Sequence, residues 1–316
     1  MKRLISRLVF FILIFGLLYP LFLFIWAKCF SDQDMKPNLF FKPASYGHTF
    51  TRLQEADTTK NVDILFLGSS HAYRGFNTVW FNAQGYRVLN LGSSSQSHLQ
   101  TAQLLNRYLS KCKPQCIVYE VYYPVFSVDG SESAVDLHSN TAPDLAGLAE
   151  VFLTGNLLAC NTYFFSWPYT AWNYNDTITE KRRVSEDTYF KGGYVEKDFR
   201  TFKYIKHRDT IIELCNVQKA VFCLNLRRIR AAGIPVLLVQ APVTKALYQS
   251  YLNADEVDKW LALQGEYINF NTNSGLDDSL CFYDPHHLNS DGVKVFNERL
   301  LQEIRARYKF KGTGLK

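Results

Sequence analysis

The sequence predicts a three-layer α/β/α fold with a central parallel sheet, preceded by one transmembrane helix. Three observations lead there. Short apolar runs of strand length recur at Val62–Leu67, Arg87–Leu91, Cys116–Val121 and Val236–Gln240, and runs of this kind read as strands buried on both faces. Segments with helical spacing separate them, so strand and helix alternate along the chain. Finally, Leu8–Ala27 is apolar throughout apart from residues that a membrane helix tolerates, namely Gly16, Tyr19 and Pro20.

That first run is about 20 residues long, the length that crosses a hydrocarbon core. Lys2, Arg3 and Arg7 precede it and only Lys28 follows directly. The positive-inside asymmetry then puts the N-terminus in the cytoplasm and the rest beyond the membrane. A cleaved signal peptide would show a shorter apolar region ending in a small-x-small site, and Trp26-Ala27-Lys28-Cys29-Phe30 offers none. Residues 1–29 therefore read as an uncleaved anchor. Residues 30–60 read as a polar tether, and 61–312 as the α/β domain.

Within the domain, each apolar run ends at a glycine or a loop. Val62–Leu67 stops at Gly68 and Arg87–Leu91 at Gly92. Leu99, Ala102, Leu105 and Leu109 mark a helix over 97–110, and another spans 217–232. Gly233-Ile234-Pro235 leads into the fourth strand. Ser290 to Tyr308 reads as a final helix, capped by Ser290 or Asp291. Parallel sheets carry their sites at the C-terminal strand ends, so Gly68, Gly92, Tyr122 and Ala241 are expected to converge. The segment from about 130 to 215, rich in Trp167, Tyr169, Trp172 and Tyr174, has a weak pattern and reads as an inserted lobe or lid.

Composition narrows the function. The chain has 316 residues, 47% hydrophobic and 20% charged, with net charge +6. The basic residues are spread out, and the clusters Lys181–Arg183 and Arg227–Arg230 read as solvated faces, so no nucleic-acid partner is expected. Seven cysteines at irregular spacing are not a disulfide framework. Cys112 and Cys116 lack a second pair at ligand spacing, which argues against zinc. A disulfide among the seven stays open for a domain outside the cytosol.

Two clusters carry chemistry. In Leu67-Gly68-Ser69-Ser70-His71, Ser70 stands where a strand ends and a helix begins, with its hydroxyl exposed and its amide able to face an oxyanion. Helix capping alone would also place a serine there. In Tyr283-Asp284-Pro285-His286-His287-Leu288-Asn289, Asp284 and His287 are spaced so that the carboxylate can orient the imidazole. His286 and His287 could instead ligate a metal, but Asp277, Asp278 and Asp291 give no recognisable ligand spacing, and no metal or cofactor is expected.

Taken together, these blocks resemble the SGNH (GDSL-like) hydrolase superfamily, over the span from first strand to last helix with 130–215 outside it. The resemblance implies a flavodoxin-like sheet, Ser70 as nucleophile, Asp284 and His287 as acid and base, and the amides of Ser70 and Gly92 as the oxyanion hole. Two features depart from the pattern. Ser69 replaces the usual aspartate, and Tyr119-Glu120-Val121-Tyr122-Tyr123-Pro124 lacks the asparagine that serves as a further oxyanion donor. Similar divergent blocks occur in the anchored branch, such as the alginate-acetylation and teichoic-acid D-alanylation proteins. That branch implies an acylated envelope glycan as substrate, a membrane-bound acyltransferase as partner, and a location on the outer face of a bacterial cytoplasmic membrane. His71 and Arg74 are candidate substrate-binding residues, with pairing inside the protein as their alternative. Esterase and O-acyltransferase are not separated by the sequence. The contrasting reading is an inactive SGNH-fold scaffold or glycan-binding component, and a third is a metal-dependent hydrolase.

Overall fold

The computed structural model describes residues 1–30, 38–45, 47–172, 177–198, 204–272 and 275–310. It opens on helix α1 (Lys2–Cys29), which is long and apolar enough to cross a membrane. Helix α2 (Thr49–Thr58) follows, and corrects part of the polar-tether reading. Phe50, Leu53 and Ala56 are buried at its inner face, and Arg52 is buried with them. The signal was hidden because the stretch is polar on average: Arg52 contributes its charge inside, donating to the carbonyls of Gly193 and Gly47.

The central layer has five strands: β1 (Ile64–Leu67), β2 (Val88–Asn90), β3 (Cys116–Glu120), β7 (Val236–Gln240) and β8 (Glu266–Asn269). Their order is β2-β1-β3-β7-β8, and every pairing is parallel. β1, β2, β3 and β7 are buried along their whole length, which is why they read as continuous apolar runs. The fifth strand escaped the sequence pattern because Glu266-Tyr267-Ile268-Asn269 is an edge strand of mixed polarity. Helices α3 (Ser70–Gly75) and α4 (Thr78–Ala83) follow β1, and α5 (His98–Cys112) follows β2. A capping box of Ser97 and Gln100 starts α5.

The segment from 130 to 215 splits into two structures. Helices α6 (Ser131–Asn140), α7 (Leu145–Thr154) and α8 (Leu157–Ala171) form a helical lobe. A three-stranded antiparallel sheet then forms from β4 (Arg183–Val184), β5 (Asp187–Phe190) and β6 (Tyr194–Lys197). Tyr174 lies outside the described residues. Trp167 and Trp172 are exposed rather than in a core. Helix α9 (Asn216–Ala231) precedes β7, and α10 (Lys245–Gln249), α11 (Ala254–Ala262) and α12 (Asp278–Cys281) lie between β7 and the last helix. That helix, α13 (Ser290–Arg307), is capped by Asn289, whose side chain accepts from the amides of Asp291 and Gly292. The cap sits one residue earlier than the sequence suggested. All seven cysteines are unpaired thiols.

Two cores flank the sheet. One holds Leu65, Leu67, Leu104, Leu105 and Phe222. The other holds Ile64, Phe66, Phe76, Phe296 and Leu300. The alternation of Ile64 and Phe66 with Leu65 and Leu67 is the period of two that puts successive side chains on opposite faces. The sheet order reverses direction at β1 and β3, and the crevice beyond such a switch point is where open α/β sheets place ligands.

Candidate active site

β1 delivers the chain to the switch point at Gly68, which has φ +142°. A Cβ here would come within 2.6 Å of Glu120 Cβ and Oε2, so both conformation and space demand glycine. Ser69 then caps α3, its hydroxyl oxygen accepting from the His71 amide at 3.3 Å. Ser70 is the first residue of the helix. The turn is braced from β3: the Ser69 amide and hydroxyl both donate to Glu120 Oε2, at 2.9 and 2.8 Å.

The structure brings the sequence-selected triad residues together across the chain. Ser70 Oγ lies 2.8 Å from His287 Nε2. His287 Nδ1 lies 2.8 Å from Asp284 Oδ2. The other carboxylate oxygen, Oδ1, accepts from the amides of His286 and His287 at 2.9 and 2.8 Å. This pattern puts the imidazole proton on Nδ1, donated to the carboxylate, and leaves Nε2 to accept from the serine. The short Asp-Pro-His-His segment makes the arrangement local: one carboxylate ties down two successive amides and the ring that follows.

Electrostatics favour a neutral base. Burial pushes the His287 pKa down to about 4, against the raising pull of Asp284. Burial alone would raise the Asp284 carboxyl, but the hydrogen bond and charge of His287 outweigh it and hold the group well below the usual carboxylate range. Glu120 goes the other way. It is buried at the end of β3, and burial lifts its pKa to about 7 despite the two bonds from Ser69.

A cavity of about 380 Å³ opens over Ser70, walled by Ser94, Ser95, Tyr122, Val125 and Tyr283 among others. His71 and Arg74 also line it, but neither offers a free charge. His71 is buried, stacked on His287 at 5.1 Å and against Tyr122 at 4.1 Å, with Nδ1 3.1 Å from Ser69 Oγ. Burial keeps it neutral. The Arg74 guanidinium donates to both oxygens of Asp187 on β5, at 2.9 and 2.8 Å. Its fork is therefore filled from within, and Arg74 ties the small sheet to α3.

Gly92 needs a correction. Its amide donates to Asn90 Oδ1 at 3.0 Å and so is already used within the loop. Its glycine character comes from packing instead: a Cβ would meet Ala72 Cβ at 2.8 Å and the backbone of Ser69 and Tyr73 at 2.9 Å. Asn90 and Gly92 hold the Ser70 turn from behind, with Asn90 Nδ2 donating to the Ala72 carbonyl at 2.8 Å. Glu120 was present in the sequence as a lone acid in an apolar strand, and that mismatch was the available signal for its role. Asp284, His286 and His287 cluster closely enough to reach one ion. In this geometry, however, Asp284 and His287 are engaged with each other and with Ser70.

No protein-family model and no curated protein sequence matches the chain. Among solved structures, it is similar to a candidate acylhydrolase from Bacteroides fragilis, at 12% identity and TM-score 0.40, covering 81% of this chain and 94% of that one. It is also similar to a GDSL-like lipase from Bacteroides thetaiotaomicron, at 9% identity and TM-score 0.41, covering 84% and 100%.

Proposed function

We propose that the chain is a membrane-anchored serine esterase or O-acyltransferase of the SGNH type. The observation that carries this reading is the continuous path from Ser70 Oγ through His287 to Asp284, with both links at 2.8 Å. Ser70 follows β1, and the Asp284–His287 pair immediately precedes α13, at the C-terminal edge of a parallel sheet. An unrelated capping serine has no reason to meet an oriented, neutral imidazole.

The chemistry follows from the protonation pattern. His287 Nε2 takes the Ser70 proton as Oγ bonds to the ester carbonyl carbon. The oxyanion that forms faces the amide of Ser70 at the start of α3. His287 then gives the proton to the departing alkoxide as the ester C–O bond breaks, leaving an acyl-serine. Water or a sugar hydroxyl, deprotonated by His287, attacks that acyl group, and Ser70 regains its proton. Asp284 stays ionised and holds the ring throughout. With the amide of Gly92 engaged elsewhere, the hole relies on fewer donors than the family pattern, which points to a slow enzyme.

The helix Lys2–Cys29 supports an anchor, and the resemblance to the envelope-modifying branch supports an acylated glycan as substrate. The test is labelling with a serine-reactive phosphonate. Modification at Ser70, lost in Ser70→Ala together with acetate release from an activated ester, supports the reading. Undiminished release by Ser70→Ala would overturn it in favour of the metal-dependent or non-catalytic alternatives.

A further inference from the structure

The two blocks that carry the reacting groups each carry an aromatic ring at the adjoining position. His71 follows Ser70, and Tyr283 precedes Asp284. Both rings stack on the imidazole of His287. The His71 ring lies 5.1 Å from it, centroid to centroid, with 27° between the planes. The Tyr283 ring lies 5.5 Å away at 11°. His286 meets the same imidazole edge-on, at 4.3 Å and 88°. Tyr122, just past the end of β3, continues the row by lying against His71 at 4.1 Å and 38°.

The hydrogen bonds of His287 run in the plane of its ring, to Asp284 at Nδ1 and to Ser70 at Nε2. They hold the two edges, and the neighbouring rings cover the face. With that cover the His287 side chain is only 12% exposed. A turn of the ring about its Cβ–Cγ bond would break both hydrogen bonds at once, and packed neighbours oppose such a turn by having nowhere to go.

His71 is suited to this place because it is itself immobile. It is buried, and its Nδ1 lies 3.1 Å from Ser69 Oγ, which donates to Glu120 Oε2 at 2.8 Å. The plane of the His71 ring is therefore set from β3, through Ser69. Its Nε2 is buried without a partner, so the contacts it makes on that side are those of its ring.

We infer that His71 and Tyr283 are positioning residues, which hold the imidazole of His287 by stacking and keep water from it, so that it stays in line between Ser70 and Asp284. This gives His71 a place in the reaction other than the substrate contact expected from the sequence. The inference rests on the serine-esterase reading above and adds how its base is held.

The test is a pH–rate profile of the full chain in detergent micelles on an activated acetate ester, with Ser70→Ala run beside it. The titratable or charged groups around His287 are Asp284, His286 and Tyr283 on its own loop, and His71 and Arg74 on α3. Arg74 is committed to Asp187. Burial is the largest influence on the ring and holds its pKa near 4. His71→Ala lets water in, so the acid limb should rise by about one unit toward the ordinary histidine value. A base out of line should also lower kcat at least about tenfold, with KM unchanged. His71→Phe, which restores a ring, should recover most of kcat and return the limb to about 4. Tyr283→Leu should repeat the His71→Ala result, and Tyr283→Phe should not.

Parent kcat and limb in His71→Ala overturn the inference. A raised KM at unchanged kcat overturns it too, by making His71 a substrate contact. A loss in His71→Phe as large as in His71→Ala overturns it by placing the effect in the nitrogens of His71 rather than its ring. Where His71→Ala does not fold, the Tyr283 pair decides, and equal profiles in Tyr283→Leu and Tyr283→Phe overturn it. Activity that survives Ser70→Ala overturns the esterase reading itself. Activity lost in Ser70→Ala, with the limb unmoved in His71→Ala, leaves that reading standing and removes only this one.

Discussion

At the residue scale, the pocket holds two titrating groups whose environments push them apart. His287 must be neutral to accept the Ser70 proton, and burial holds its pKa near 4. We expect kcat/KM to rise with pH through about 4 and to level off between this limb and neutrality. Glu120 titrates at about 7, and as it ionises a negative charge appears behind Ser69, beside the place where the oxyanion develops. Activity should therefore decline as pH rises through 7, and Glu120→Gln should remove that decline while leaving the acid limb in place. A pH–rate profile of parent and variant checks both limbs. Stability is linked to the same groups. The depressed His287 pKa favours the folded state above the unfolded value of 6.5, and this contribution is lost as pH falls toward 4. Asp284→Asn would reverse the hydrogen bond to Nδ1 and offer Ser70 the wrong tautomer, lowering kcat by about 10⁴-fold, as in a serine protease with the same relay. Much of this site was legible in the sequence, because Ser70, Asp284 and His287 sit in short blocks at chain positions that a parallel sheet brings together. The occupation of the Gly92 amide by Asn90 was not, since a hydrogen bond to a side chain two residues away leaves no periodic trace.

At the element scale, the Ser70 turn is clamped from three directions: Glu120 on β3, Asn90 and Gly92 at the end of β2, and α13 through Asn297, which donates to the Gly75 carbonyl. Gly92 is where two backbones approach each other. In Gly92→Ala the new methyl would meet backbone atoms of Ser69 and Tyr73 at 2.9 Å. Two backbones cannot give way as a flexible side chain can, so we expect a loss of roughly 1–3 kcal/mol and a fall in activity at pH 7, read by urea melts alongside ester hydrolysis. The link from α3 to the small sheet is of another kind. Arg74→Ala leaves Asp187 without its two charge-assisted bonds, and should cost about 1.5–3 kcal/mol in the same melts. The legibility of elements follows their burial. β1, β2, β3 and β7 were readable because both faces are covered, whereas the edge strand β8 was not. The antiparallel β4–β6 sheet escaped for a related reason: its exposed Arg183 and Val184 and its part-buried Asp187 and Thr188 give no clean alternation.

At the scale of the whole molecule, α1 is long and apolar enough to cross a membrane, and it also packs on the domain. Its last third covers an apolar surface: Leu23 is buried together with Leu39 and Phe165, and Tyr19, Phe24 and Ala27 pack around them. In the sequence α1 and the domain each have their own pattern, and a contact between two distant apolar helices leaves no signature in either. A chain beginning after Cys29 would lose this cover, exposing the ring of Phe165 and leaving Asn161 without the Tyr19 hydroxyl. Uncovering one large aromatic side chain costs about 1.5–3 kcal/mol. Ser70, His287 and Asp284 bond to one another and not to α1, so on the proposed function the shortened chain should hydrolyse a soluble ester as the full chain does when freshly prepared. It should nevertheless melt at a lower temperature than the full chain in detergent, and associate on standing in a detergent-free buffer. Calorimetry and sedimentation velocity measure the two effects. A shortened chain that stays monomeric with the full-chain melting temperature would show that α1 and the domain are energetically independent.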